Sequence, residues 1–322
     1  MYLIMLRVPL KGDLVANRYK ERIIQAGIST GARIVLPETN DPRIVDAKRE
    51  LLKMGFNIVE MEDSSELIPD FKELISTLNF TQNWTGPQLQ AFLENPLNMG
   101  MSMVANGLAD GLVAGAATST GDVIRSAIRM IGVKPTSKWV SSIFFMVSPN
   151  GEKAFTYSDC GVIPEPTSDQ LVAIAKDASE FHELLSNEMP QVAFLSFSTK
   201  GSADHYRVKR VSDATRIFSN KYPYIAHDGE LQFDSAVDGI IASRKAPGSS
   251  LSGNANVMIF PNLDAGNIAY KITEHLAGYS AWGPLLQGLN KPVHDLSRGC
   301  SVDDVILVAA IAALQKDIYA NV

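Results

Sequence analysis

Arg33-Ile-Val-Leu-Pro-Glu-Thr-Asn-Asp-Pro-Arg-Ile-Val-Asp-Ala-Lys-Arg-Glu-Leu-Leu-Lys-Met-Gly-Phe-Asn-Ile-Val59 is the stretch that decides the fold. Arg33 to Leu36 reads as a short apolar strand. Asp41-Pro42 then supplies an N-cap and a first-turn proline, whose missing N–H costs a helix start nothing. Ile44, Val45, Ala47, Leu51 and Leu52 recur at helical spacing, and Gly55 stops the helix because glycine tolerates the left-handed cap conformation. Ile58-Val59 opens the next strand. Strand, helix, strand at this spacing is a βαβ unit, so the fold class is α/β with a parallel sheet covered by helices.

The alternation continues along the chain. Gly111 to Ala116 reads as a buried strand, followed by a turn and a helix over 122–131. Trp139 to Val147 is β-rich. Thr167-Ser-Asp-Gln170 is a capping box that opens a helix reaching Leu185. Val192 to Phe197, Asn256 to Phe260 and Gly283 to Leu286 read as further strands, with a helix over 266–277.

Composition narrows the function classes. A length of 322 residues favours two domains. A net charge of -6 without a basic stripe argues against a nucleic-acid surface. The chain has no apolar run long enough to span a membrane. The opening Met1-Tyr-Leu-Ile-Met-Leu6 is too short for a signal-peptide core. Two cysteines, Cys160 and Cys300, make no disulfide framework, and a reducing, cytoplasmic setting is expected.

Asn290 to Asp304 concentrates the chemistry. A polar loop ends in Ser297-Arg298-Gly299, and Ser301-Val-Asp-Asp304 reads as the capped start of an apolar helix over 305–314. Free backbone N–H groups and the positive dipole end of that helix suit an anion, and Arg298 adds a forked cation. Ser119-Thr120-Gly121-Asp122 follows a buried strand in the same manner, with Arg125 one turn on.

Five further stretches accompany these: Gly107 to Asp122, Tyr157 to Thr167, Asp228 to Asp234, Asn254 to Asn267, and Gly283 to Pro292. In that order they resemble the phosphate acetyltransferase (phosphotransacetylase) family, most in the form found in ethanolamine utilisation. The likeness runs from about Ala32 to the C-terminus and is most specific from Asn254 to Asp304. It implies two α/β domains of isocitrate/isopropylmalate dehydrogenase-like type with an interdomain cleft. Residues 1–138 and 288–322 would form a discontinuous first domain and 139–287 the second, with crossings near Lys138 and Gln287. It also implies a homodimer.

The reaction implied by the resemblance is reversible acetyl or other short acyl transfer between CoA and inorganic phosphate, through a ternary complex. No metal or redox cofactor is implied; CoA, acetyl-CoA, phosphate and acetyl phosphate are the substrates. Ser297, Arg298 and Asp304 match catalytic positions of the family, Asp304 as base. A thiol near pKa 8.5 loses its proton to an ordinary Asp near 3.9 only at a cost of about 6 kcal/mol. Asp304 thus needs desolvation, or a nearby cation to hold the thiolate; its other reading is to close the capping box on Ser301. Ser119, Thr120, Arg125, Cys160, Lys200 and His275 are the expected substrate-binding set, Cys160 by family position although its residue type favours burial. Asp228, Glu230 and Gln232 are expected along the cleft. Asp264 and Asn267 match family positions, and His294 and Asp295 fix the loop before Ser297.

Two departures from the family pattern stand out. His275 occupies a position where an arginine is usual, and histidine is only partly charged near neutral pH. No Lys or Arg lies between Lys72 and Arg125. These departures keep a second reading open, a family member that binds acetyl-CoA or acyl phosphate in a sensing or scaffolding role. A dehydrogenase of the related fold lacks support, because no glycine-rich dinucleotide turn and no acidic metal cluster is visible.

Overall fold

The computed structural model describes residues 18–61 and 68–316. The Met1–Leu6 stretch lies outside them. In chain order the first elements are α1 (Arg18–Ser29), β1 (Arg33–Val35), α2 (Pro42–Met54), β2 (Asn57–Val59), α3 (Ile68–Ser76), α4 (Gly86–Leu93), α5 (Pro96–Ala105), β3 (Gly111–Ala114) and α6 (Thr120–Met130). Next come β4 (Ser141–Val147), β5 (Ala154–Ser158), α7 (Ser168–Ser186), β6 (Gln191–Leu195), α8 (Tyr206–Lys221), β7 (Ala226–Leu231), α9 (Phe233–Val237) and α10 (Gly239–Lys245). The last are β8 (Val257–Ile259), α11 (Leu263–Ala277), β9 (Ser280–Gln287), β10 (Val293–Asp295) and α12 (Val302–Leu314).

The expected βαβ unit is present. Asp41 caps α2 by accepting from the Arg43 backbone N–H, and Gly55 takes the left-handed conformation at φ 97°. β1 and β2 pair in parallel, Ile34 opposite Ile58. They belong to a four-stranded sheet of order β10-β3-β1-β2, parallel throughout.

The second sheet has six strands in the order β7-β6-β8-β5-β4-β9. It corrects the expectation of a purely parallel arrangement, because β4 runs antiparallel to both β5 and β9. A hairpin through Pro149-Asn150-Gly151 reverses the chain between β4 and β5, and no crossover helix is needed for such a pair.

α12 fixes the relation of the site to the core. Val305 through Leu314 are all buried, enclosed by α1, α2, β1, β3, β9 and β10. Each fully buried Val, Ile or Leu contributes about 1.5–3 kcal/mol relative to exposure, as an upper estimate. The loop that precedes α12 is therefore mounted on one of the most deeply held helices of the chain. Among the described residues no helix is long and apolar enough to cross a membrane.

Candidate active site

β3 and β10 lie side by side, with Asp295 in register with Ala114. Their carboxyl ends release two loops, Gly115–Ser119 into α6 and Leu296–Ser301 into α12. Both loops end at a helix N-terminus, so two positive dipole ends meet in one place. The facing wall comes from the second sheet: Cys160 and Gly161 after β5, Asn267, Tyr270 and Glu274 on α11, and Trp282 to Pro284 on β9. A cavity of about 540 Å³ lies between, lined on the first side by Thr120, Asp295, Ser297, Arg298 and Asp304 among others.

Buried carboxylates shape the loops, a feature the sequence reading missed. Glu38, in the loop after β1, accepts four successive backbone N–H bonds, from Gly115 (3.0 Å), Ala116 (2.8 Å), Ala117 (2.9 Å) and Thr118 (2.7 Å). Asp159 does the same on the facing wall, taking bonds from Gly161 (3.0 Å), Val162 (3.3 Å), Ile163 (2.7 Å) and the Ser142 hydroxyl (2.6 Å). Burial pushes the Asp159 carboxyl above its ordinary range. Arg43 joins the two loops of the first sheet. Its guanidinium donates to the backbone oxygens of Arg298 (2.7 Å), Cys300 (3.1 Å) and Ala116 (2.9 Å) and pairs with Asp41 at 2.7 Å.

The residues singled out from the sequence divide into two groups. Thr120, Cys160, Ser297, Arg298 and Asp304 share the cleft. Arg298 donates Nε to the Thr118 carbonyl at 3.2 Å, and its two terminal amino groups carry no hydrogen bond among the described residues. The Ser297 hydroxyl accepts from the Gly299 N–H at 3.3 Å. Asp304 closes the capping box: its Oδ2 accepts from the Ser301 N–H and hydroxyl, both at 2.8 Å. It stands exposed at the cleft rim. Cys160 is fully buried, which raises its thiol pKa well above the ordinary range.

The second group lies elsewhere or is already engaged. Ser119 spends its hydroxyl as N-cap of α6, bonded to Asp122. Arg125 pairs with Asp122 at 2.6 Å and lines a neighbouring groove instead. Lys200 is paired with Asp228, and its Nζ donates to the Gly229 carbonyl at 3.1 Å. It does not line the cleft, because its loop follows β6, on the side of the sheet remote from β9, where Asp228 of β7 holds its charge. Glu230 is likewise buried away from the cleft, accepting from Ser198, Ser212 and Gly201 and so fixing the Lys200 loop. His275 points off the exposed side of α11, 3.7 Å from Glu274; the cleft residue at this turn is Glu274. Arg129, exposed on α6, lies over the Phe80 ring at 5.3 Å. Asn267 reaches the Cys160 carbonyl at 3.1 Å, whereas Asp264 does not line the cleft.

His294 and Asp295 are both buried. Nδ1 of His294 accepts from the Leu286 N–H at 3.2 Å, so Nε2 carries the proton and donates to Gln315 at 2.6 Å. Burial lowers the His294 pKa to about 4, and the ring stays neutral while tying β9 to β10. Asp295 accepts the Thr120 hydroxyl on Oδ2 at 2.6 Å, and its Oδ1 is buried without a partner. Burial raises its pKa to about 6; Thr120 and Arg298 oppose that shift and Glu38 adds to it.

The profile of the phosphate acetyl/butaryl transferase family matches residues 55–313. The chain belongs to this family. A phosphate acetyltransferase of Acetivibrio thermocellus is 42% identical over 324 residues, covering 92% of this chain and 98% of that protein. One from Paracoccus denitrificans is 39% identical at the same coverage. Among solved structures, a phosphotransacetylase from Streptococcus pyogenes superposes with a TM-score of 0.88 at 34% identity, covering 95% of this chain and 100% of that one. The EutD phosphotransacetylase from Staphylococcus aureus gives 0.79 at 36% identity, over 92% and 99%. The phosphotransacetylase fold and the family resemblance, drawn from about Ala32 onward and most specific from Asn254 to Asp304, are therefore established. For Glu38 and Asp159, which no motif announced, the available signal was an acid in the loop just after a strand, where loop N–H groups need acceptors.

Proposed function

We propose that this family member catalyses reversible acetyl transfer between CoA and inorganic phosphate. The observation that carries the reading is Arg298. Its unengaged amino groups face a cleft where two helix N-termini converge and where Ser297 adds a hydroxyl. In the thioester-forming direction the CoA sulfur attacks the carbonyl carbon of acetyl phosphate. A tetrahedral oxyanion forms, the carbon–oxygen bond to the phosphoryl group breaks, and phosphate leaves. Arg298 and Ser297 hold the phosphoryl oxygens and the developing charge. The step needs no metal or redox cofactor.

The cleft opens past Thr120 and Gly161 into a groove of about 470 Å³ lined by Arg125 and Arg129. We place the phosphates of CoA there, which gives cationic contacts on a different face from His275. The test is an assay of purified protein with CoA and acetyl phosphate, following thioester absorbance. Steady turnover is expected; a folded protein inert with acetyl, propionyl and butyryl phosphate would sink the reading.

The homodimer and the domain division at residues 138/139 and 287/288 remain part of this proposal. Phe197, Phe233, Ile268, Ile272 and Leu276 are exposed, and three of them border an apolar groove of about 510 Å³. A second copy of the chain is the occupant that reading supplies. Sedimentation at micromolar concentration should give a dimer, and a monomer throughout would remove it. Two unpaired cysteines and the CoA substrate support a cytoplasmic location, which cell fractionation checks.

A further inference from the structure

Resting on the acyl-transfer reading, with Asp304 as the base that the family resemblance implies, we propose that Arg43 is the positioning residue that aims Ser297 and Asp304 together. Arg43 stands on the first turn of α2, beside the loop that leads into α12, and does not line the cleft. Its effect on the reaction therefore passes through that loop and not through contact with substrate.

The guanidinium is itself held in place. Asp41 takes Nε at 3.0 Å and Nη2 at 2.7 Å, a two-point pairing that fixes the plane of the fork. Nη1 is left for the loop before α12. It donates to the carbonyl oxygens of Arg298 at 2.7 Å and Cys300 at 3.1 Å. Nη2 also reaches the Ala116 carbonyl at 2.9 Å.

Each of those carbonyls belongs to a rigid unit. A peptide group is planar, and in the trans form its C=O and N–H point in opposite directions. Turning the Arg298 carbonyl toward Arg43 turns the Gly299 N–H away from it, and that N–H donates to the Ser297 hydroxyl oxygen at 3.3 Å. Turning the Cys300 carbonyl toward Arg43 turns the Ser301 N–H away, and that N–H donates to Asp304 Oδ2 at 2.8 Å. The Ala116 plane ends in the Ala117 N–H, which donates to Glu38 Oε1 at 2.9 Å. One nitrogen thus sets two peptide planes, and the far edge of each holds a side-chain oxygen of a residue that the reaction uses. The turn that closes the loop, from the Cys300 N–H to the Ser297 carbonyl at 2.9 Å, engages the neighbouring peptide groups and not these two.

The experiment measures kcat and KM for thioester formation in Arg43→Ala and Arg43→Lys, each alone and in a Ser297→Ala/Asp304→Asn background. Arg49→Ala, at an exposed position of the same helix, is the control and should keep the wild-type rate. Arg43→Ala should lower kcat about a hundredfold, the cost of misplacing reacting groups from a distance. KM for acetyl phosphate should stay within about threefold of wild type, because no contact with substrate is lost. Arg43→Lys should recover only part of the rate, since one ammonium cannot hold Asp41 and two carbonyls at once. In the doubly substituted background Arg43→Ala should cost less than about threefold, because the residues it aims are gone. A variant that merely folded less well would lose the same factor in both backgrounds. A kcat within about threefold of wild type in Arg43→Ala, or equal losses in the two backgrounds, would overturn the proposal. If Arg43→Ala does not fold, Arg43→Lys carries the same comparison. Wild-type protein that makes no thioester refutes the acyl-transfer reading itself, a result distinct from these.

Discussion

Arg298→Ala is expected to lower kcat for thioester formation by about 10²–10³, or about 3–4 kcal/mol of transition-state stabilisation. Among the described residues the guanidinium makes one bond to the fold, Nε to the Thr118 carbonyl. The loop around it is held from the backbone by Arg43 and mounted on α12, so the variant should unfold at nearly the wild-type urea midpoint. The loss is therefore one of charge stabilisation. If Arg298 acts only on the oxyanion, kcat and kcat/KM fall together. If it also holds ground-state phosphate, KM for acetyl phosphate rises as well. Arg298→Lys should recover little, because a point charge does not reproduce two parallel donors on a phosphoryl group. A kcat within tenfold of wild type in the alanine variant would remove Arg298 from the centre of the reaction.

Glu38→Ala is expected to cost about 3–5 kcal/mol of folding free energy, a large share of a typical 5–15 kcal/mol total. Four backbone N–H groups lose their acceptor together. Each unsatisfied buried donor costs about 1–3 kcal/mol, and partial rehydration keeps the sum below four full penalties. Glu38→Gln should fall between, because its amide oxygen still serves one pair of N–H groups while its NH₂ opposes the other. Urea denaturation reads both. Activity should fall with stability, since the Gly115–Thr118 loop carries the Arg298 contact and leads into Thr120. An alanine variant unfolding within about 0.5 kcal/mol of wild type would show that the loop holds its shape without the carboxylate.

What could be read from the sequence was what is decided locally. The Asp41 cap, the Gly55 stop and the Thr167 and Ser301 capping boxes are interactions within three or four residues, and all four form. Strand pairing is decided between distant segments. β7 does not read as a strand because Asp228, Gly229 and Glu230 are poor strand formers. Its partner β6 supplies the ladder, and Ser198 and Ser212 satisfy the Glu230 carboxylate. β5 was missed although Pro149-Asn150-Gly151 is a turn signal between two β-rich runs. α1 was missed too, with Tyr19, Ile23 and Gly27 buried at a spacing of four. At the site, Ser297 and Arg298 could be read because they sit beside a recognisable helix start. Glu38 and Arg43 could not, since the loop groups they hold lie 73 to 257 residues away in the sequence; Asp295 could be marked, but not its bond to Thr120, 175 residues away.

The two walls of the cleft differ in how firmly each is held. α12, behind Ser297 and Arg298, is buried from Val305 to Leu314, whereas only Gly266 of α11 is buried. Helices held as α12 is open only with the whole molecule, while sparsely packed ones shift or fray on far shorter timescales. The cleft is thus built like a vice with one fixed jaw. On the proposed reading phosphate is seated against that fixed jaw, and whatever adjustment the acyl group requires falls to the more lightly held α11.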